Sequence, residues 1–244
     1  QAMAGLMSVN GERDGGPMRV GLPIVDMVTG LNALAGILLA LAEREKSGRG
    51  QSIDIALYDC GVSLLHPHLP NYFGSGKVPQ RIGTANRMAA PYQAVRASDG
   101  YFVFGANNDR LWARLCEAIA RPDLLEHADY KSNALRMAHR EALIATLEDS
   151  FAQWTRDDCV ERLLAVGVPA GPINDYAEAL SSEHAEAREA VMNIDHPIEG
   201  EVKSIGFPVK LSGTPQQVRR HPPLLGEHTA EILAELGIDP KVLA

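Results

Sequence analysis

Arg44-Glu45-Lys46-Ser47-Gly48-Arg49-Gly50-Gln51-Ser52-Ile53-Asp54-Ile55-Ala56-Leu57 is the stretch that settles the fold class. Residues 24–42 ahead of it are apolar for a length that fits a helix, and the run ends in Glu43 to Lys46, so a helix is predicted over 24–47. Gly48 suits the left-handed residue that stops a helix. Beyond it Ile53, Ile55 and Leu57 fall at every second position, the period of a strand, so 52–57 is predicted extended, with a second helix from about Tyr58 to before Gly74. A helix, a glycine stop and a strand in that order make an α/β chain. Asp26, Thr29, Gly30, Asn32 and Gly36 interrupt the apolar run, which favours a buried core helix over a membrane span.

The segments outside this stretch follow from local chemistry. Residues 1–9 read as a helix end and 10–23, rich in Gly and Pro, as a loop. Residues 75–91 lose regular pattern at Gly76, Pro79, Gly83 and Pro91, and a loop of that length serves as linker or functional loop. Residues 92–96 and 101–106 flank Ser98-Asp99-Gly100, a hairpin signature. Helices are predicted from Asn108 to before Pro122, over 133–154, and from Thr155-Arg156-Asp157-Asp158, a capping-box start. Asp175 and Ser182 are further N-cap candidates. Residues 167–173 and 191–215 read as extended, with a strand over 202–211. A short amphipathic helix over 226–237 carries Ile232, Leu233 and Leu236 on its apolar stripe.

The composition is that of an ordinary globular protein: 244 residues, 45% hydrophobic and 22% charged. A net charge of -8 argues against a nucleic-acid partner. Cys60, Cys116 and Cys159 are widely spaced, which predicts reduced thiols in a cytoplasmic compartment. Gly48-Arg49-Gly50-Gln51 precedes a strand rather than following one, so it fails as a dinucleotide loop. No phosphate-binding P-loop and no GxSxG elbow is present. His66-Pro67-His68 lacks neighbouring ligands for a metal. Arg219-Arg220-His221 reads as solvated surface. No metal and no cofactor is expected.

Six segments stand out in order: Gln1 to Gly11; Val20-Gly21-Leu22-Pro23-Ile24-Val25-Asp26 with Thr29-Gly30-Leu31; Arg44 to Gln51; Ala90-Pro91-Tyr92-Gln93-Ala94 with Ser98-Asp99-Gly100; Gly167 to Asn174; and Pro222-Pro223-Leu224-Leu225-Gly226-Glu227-His228-Thr229. Together they resemble one family, the class III (CaiB/BaiF, formyl-CoA transferase-like) CoA-transferases. The resemblance implies a Rossmann-like large domain, incomplete here, and a smaller α/β domain, in an interlocked homodimer. Residues 1–70 would be large domain, 71–91 linker and active-site loop, 92–188 the small domain, and 189–244 the return linker and last large-domain segment. Lacking the N-terminal strands, the isolated chain would expose the 24–41 helix and fold poorly alone.

The resemblance also implies a reaction. An aspartate carboxylate attacks an acyl-CoA thioester and carries CoA to a carboxylic acid through an anhydride and an enzyme thioester, with coenzyme A as substrate and no membrane partner. The chain opens in mid-pattern at Gln1-Ala2-Met3, and the aspartate is expected just before Gln1. Asp26 is expected to act as a structural group behind the site. The active-site loop carries Gly83, Asn86, Arg87, Met88, Ala89 and Pro91, followed by Tyr92, where formyl-CoA transferase carries a glycine run. Bulky Arg87 and Met88 predict a stiffer loop, and Arg87 could fork onto the second carboxylate of a dicarboxylic acyl group. Tyr92 reads first as packing beneath the loop. A 2-methylacyl-CoA racemase-like isomerase and an inactive dimerisation remnant are the competing readings; the residues after Gln1 favour the transferase branch.

Overall fold

Four helices make up the first third of the chain: Leu6–Val9 (α1), Ile24–Ser47 (α2), Leu57–Ser63 (α3) and Leu69–Ser75 (α4). They come from a computed structural model, which describes residues 1–239. Helix α2 stops where expected: Gly48 takes φ 71° and its N–H returns to the Arg44 carbonyl at 2.8 Å. The expectation of a buried helix is not met within this chain. Val25 is the one buried residue of α2, while Leu31 and Leu39 are 66% and 72% exposed. Its length and mean hydropathy of 2.0 would also fit a membrane span. It packs on α3, and Gly36 lies against Ile53 and Ile55, which leaves most of the 24-residue helix uncovered.

Two further expectations change in this region. Residues 52–56 form no strand and belong to no sheet. Alternation fixes which side chains share a face, whereas a strand also needs a neighbour for its N–H and C=O groups, and none lies alongside. The single helix expected from 58 is two helices. Pro67 lies in the turn between them and Pro70 occupies the first turn of α4, where its missing N–H costs nothing. Gly61 lets α3 approach the chain start: a Cβ there would sit 2.8 Å from that of Ala4.

The principal core is built on a hairpin. Strands Tyr92–Arg96 (β1) and Tyr101–Gly105 (β2) pair antiparallel with Arg96 opposite Tyr101. Behind them lie helices Asp109–Ala118 (α5), Asp123–Glu126 (α6), Asn133–Ala138 (α7), Arg140–Phe151 (α8) and Arg156–Ala165 (α9), and strand Ala170–Pro172 (β3) adds to β2 antiparallel. Inward residues of β1 and β2 (Val95, Phe102, Phe104) meet Leu115, Leu147, Phe151 and Leu163 from the helices. Phe151 stands edge-on to Phe102 and Phe104, with ring centroids 5.0 and 5.6 Å away. The Ser98-Asp99-Gly100 turn is tied to the α8–α9 junction: Ser98 N–H and hydroxyl donate to the Trp154 carbonyl, and Asp99 Oδ1 accepts from Arg156 N–H at 2.7 Å. The one helix expected over 133–154 is broken at His139 (φ −106°, ψ 26°) into α7 and α8.

The expected capping box at Thr155 forms. Thr155 Oγ1 accepts from Asp158 N–H at 3.2 Å, and Asp158 Oδ2 accepts from Thr155 N–H. The Thr155 hydroxyl, which also donates to Asp158 Oδ2 at 2.7 Å, and then the Thr155 N–H hold the Asp158 carboxyl below its ordinary pKa. Thr155→Ala is therefore expected to lower stability by about 1 kcal/mol in urea unfolding, and Thr155→Ser to restore most of it.

Beyond Ile173 the chain forms a second unit, beginning at Asn174. It holds helices Tyr176–Ser181 (α10) and Glu183–Ala187 (α11), strands Val191–His196 (β4) and Gly200–Ile205 (β5), and helix Thr229–Glu235 (α12). Asp175 and Ser182 cap α10 and α11 as expected. The strand expected over 202–211 ends at Ile205. That is where its partner β4 begins: Gly206 N–H still donates to the Ala190 carbonyl at 2.8 Å, one step beyond the Val191–Ile205 pair, with no room for a side chain against the Glu189 carbonyl. On α12 Leu233 is buried, while Ile232 and Leu236 are exposed. The segment expected over 189–244 runs past residue 239, so its end lies outside the described residues.

Candidate active-site loop

The patternless stretch ahead of β1 folds into a compact loop over a cavity of about 500 Å³. Gly83, Asn86 and Arg87 line that cavity, together with Glu12, Arg13 and Asp14 from the 10–23 loop, Gln93 from β1, and Arg140, Glu141 and Glu148 from α8. Four carboxylates and three guanidinium groups therefore share its wall. Arg13 pairs with Glu141. Burial, with Arg13 nearby, holds the Arg140 pKa below its ordinary value, and burial does the same to Arg87; both remain cations, as guanidinium groups do in proteins. Arg87 donates to the Gln80 carbonyl. Burial, and Arg87 close by, lower the His68 pKa, which favours a neutral imidazole there.

The remaining expected loop residues do not join this cavity wall. Met88 is 82% exposed, whereas Ala89, Ala90 and Pro91 are buried, with Ala90–Pro91 a cis peptide. Tyr92 lies on the other face of β1, its ring against Gly105, where an added Cβ would come within 3.1 Å. The ring thus meets β2 rather than the underside of the loop, and Gln93, one residue on, faces the cavity. Asp26 is exposed in the first turn of α2, where a carboxylate suits the positive helix end, and it is not part of the cavity wall.

Backbone bonds, rather than bulk at 87 and 88, give the loop its order. Gly83, in the left-handed region at φ 61°, donates its N–H to the Gly11 carbonyl, and Asn86 N–H closes the loop onto the Tyr92 carbonyl at 2.8 Å. Asn86 Oδ1 accepts from Met88 N–H. Three side chains from α7 and the start of α8 then grip the loop from below. Asn133 Oδ1 accepts from Ala90 N–H at 3.0 Å and its Nδ2 donates to the Met88 carbonyl at 2.9 Å. Arg136, fully buried, donates through Nε to the Ala90 carbonyl. Arg140 Nη2 donates to the Asn86 and Ala89 carbonyls at 2.6 and 3.1 Å. Sequence reading missed Gln93, Asn133, Arg136 and Arg140. The available signal was the spacing of the last three, i, i+3 and i+7, which gathers them on one helical face.

The rest of the chain supplies little chemistry of its own. Cys60, Cys116 and Cys159 are free and buried. Burial pushes the Cys116 thiol up to about 12 and Cys159 to about 11, far from thiolate chemistry at neutral pH. Among the described residues no three His, Cys, Asp or Glu side chains gather as a metal ion would need.

The Pro222 to Thr229 signature is a structural turn. Glu227 Oε2 accepts from Leu224 N–H at 2.7 Å, and the carboxylate also meets His221 Nε2 at 2.9 Å. The Leu224 amide, with His221 adding to it, holds the Glu227 carboxyl below its ordinary value. A carboxyl with a depressed folded pKa favours the folded turn above the ordinary glutamate value of about 4.3, and that contribution is lost as pH falls through the depressed value. The Leu224 amide proton shift is therefore expected to titrate with a midpoint below about 4.3, and to stay flat over that range in Glu227→Gln.

Comparison with known proteins places this geometry. A family profile described as CoA-transferase family III matches residues 1–229. An acyl-CoA transferase of Fusarium pseudograminearum is 37% identical over all of this chain and 54% of its own length. The human succinyl-CoA:glutarate CoA-transferase is 35% identical over 96% of this chain and 54% of its own. The succinyl-CoA:mesaconate CoA-transferase of Haloarcula hispanica is 36% identical over 98% and 60%. The crystal structure of a CAIB/BAIF family protein from Brucella suis superimposes with a TM-score of 0.85 at 38% identity, covering 97% of this chain and 61% of that one. This chain thus spans about half the length of the curated relatives it matches. The fold shared with the Brucella suis protein, and a profile match that runs from Gln1 through the Pro222 to Thr229 signature, show that the chain belongs to CoA-transferase family III.

Proposed function

We propose that the protein carrying this chain is a CoA-transferase that moves CoA from an acyl-CoA, with succinyl-CoA the leading donor, to a carboxylic acid of the dicarboxylic class. The observation that carries the reading is the family match over residues 1–229, joined to relatives whose names pair succinyl-CoA with glutarate and mesaconate. The reaction proceeds on a carboxylate, which the family resemblance assigns to an aspartate a few residues before the Gln1 position. That carboxylate attacks the thioester carbonyl, the C–S bond breaks, and CoA leaves as thiolate with a mixed anhydride left behind. The thiolate attacks the aspartyl carbonyl of the anhydride, the acid departs as carboxylate, and an enzyme thioester remains. The acceptor carboxylate then reverses both steps, so no proton is consumed and no cofactor beyond the CoA substrate is needed.

The 83–91 loop supports this reading as the cover that keeps water from the anhydride and thioester. Arg87, held at the cavity wall, supplies a cation of the type that binds a second carboxylate. A homodimer in a reducing, cytoplasmic compartment completes the proposal, the latter supported by three buried free thiols. The open apolar face of α2 suits a helix that packs against further parts of a large domain.

The test incubates the full-length protein with succinyl-CoA and a panel of mono- and dicarboxylic acids. New acyl-CoA esters are expected with dicarboxylates, together with an enzyme-bound acyl group that hydroxylamine traps. Absence of any adduct alongside absence of ester exchange would sink the assignment. Inversion at the α-carbon of a 2-methylacyl-CoA without exchange would move it to the isomerase.

A further inference from the structure

The 86–90 segment of the loop is tied to α7 and the start of α8 through its backbone. Five successive attachment points, the carbonyls of Asn86, Met88, Ala89 and Ala90 and the Ala90 N–H, are each taken by a side chain of Asn133, Arg136 or Arg140. These three residues stand at i, i+3 and i+7, one helical face that continues across the His139 break into the first residue of α8. None of the five bonds involves a loop side chain. The consequence is a separation of tasks. The five bonds on the 86–90 backbone do not run through the side chains at 87 and 88: that of Arg87 lines the cavity with Nη2 on the Gln80 carbonyl, and that of Met88 faces solvent.

We infer that Asn133 and Arg140 are positioning residues for acceptor binding: they hold the 86–90 loop over the cavity, and the loop in turn presents Arg87 to the acid. The inference rests on the CoA-transferase reading for its substrate, while the clamp itself rests on geometry alone. A ligand that binds one loop conformation binds more weakly in proportion to the fraction of time that conformation is lost. Arg140 makes two charge-assisted bonds to the loop, so removing them is expected to shift the loop population by about tenfold to a hundredfold. Such a loss raises the acceptor KM and leaves the chemical step, which belongs to the nucleophilic carboxylate, much less changed.

The two arginines of the face differ in a way that makes the idea testable. Arg140 uses a single nitrogen, Nη2, for both loop carbonyls, so a lysine ammonium can replace it. Arg136 uses three nitrogens in three directions, to Ala90 O, Tyr130 O and Asp109 Oδ1, and a point-like ammonium cannot. The experiment follows hydrogen exchange and steady-state kinetics of the full-length protein in Arg140→Met, Arg140→Lys and Asn133→Ala. In Arg140→Met the 84–92 peptide is expected to exchange at least about tenfold faster, while the 143–151 peptide of α8 keeps its protection. KM for the acceptor acid rises by a similar factor, with kcat changed by less than about threefold. Arg140→Lys recovers both readings, and Asn133→Ala exposes the Ala90 amide.

The inference is overturned by unchanged exchange at 84–92 in Arg140→Met, by an equal rise over 143–151, or by Arg140→Lys behaving as Arg140→Met. It is also overturned if the loop loosens and the acceptor KM stays put. A wild-type protein that transfers CoA to no acid removes the functional reading instead, and the exchange arm then decides the clamp by itself.

Discussion

Replacing Arg136 by methionine is expected to cost about 3–5 kcal/mol of folding stability. The side chain is fully buried, yet each of its three nitrogens is used. Nε donates to Ala90 O at 2.9 Å, Nη1 to Tyr130 O at 2.9 Å and Nη2 to Asp109 Oδ1 at 2.8 Å, while the guanidinium carbon lies 5.2 Å from the centre of the Trp112 ring. Methionine fills most of the volume, so the cost is that of two buried carbonyls left without donors, about 1–3 kcal/mol each, plus the lost cation–π contact. The partner carboxylate behaves differently. Asp109 is 72% exposed, and Asp109→Asn is expected to cost under about 1 kcal/mol because water replaces the lost charge. Urea unfolding of the two variants measures the asymmetry. Similar costs for both would show that the ion pair, and not the carbonyl contacts, carries the effect.

Arg136 also marks where sequence reading ran out. Arginine is a surface residue by composition, and nothing in 133–140 signals that one is to be buried. What could be read was local. The Asp99-Gly100 hairpin, the Gly48 stop and the caps at Asn108, Thr155, Asp175 and Ser182 each depend on a few neighbouring residues, and each is present. The loop at 75–91 was legible because glycine and proline exclude regular structure, and three of its expected residues, Gly83, Asn86 and Arg87, do reach one cavity. The misreadings share a non-local cause. Residues 52–57 have a strand's pattern and no neighbouring strand. Helix α2 has a core helix's composition and few partners. The helix over 133–154 contains no proline or glycine, yet it breaks at His139, just before the residue whose guanidinium reaches back to the Asn86 and Ala89 carbonyls. Short α6 offered too few residues for any period to show.

The second large effect belongs to the core itself: Phe151→Ala is expected to cost about 3–5 kcal/mol. Phe151 ends α8 with no exposed surface and meets both inward phenylalanines of β2 edge-on, so it joins helix layer to sheet at one point. Truncation leaves a cavity bounded by the Phe102 and Phe104 rings and Leu147, side chains that β2 and α8 hold in place and that cannot collapse freely into it. Phe151→Leu separates the contributions. It keeps most of the buried area and gives up the ring-edge geometry, which is worth about 0.5–1.5 kcal/mol per aromatic pair, so its cost should fall well below that of alanine. Coupling supplies the sharper check. If Phe151 acts through Phe102, the Phe102→Leu/Phe151→Leu double variant loses less than the sum of the singles, by about 0.5 kcal/mol or more. Strict additivity would mean that the two rings stabilise the core separately. The joint between α8 and the sheet would then rest on area alone, and substitutions at Leu147 should prove as costly as those at Phe151.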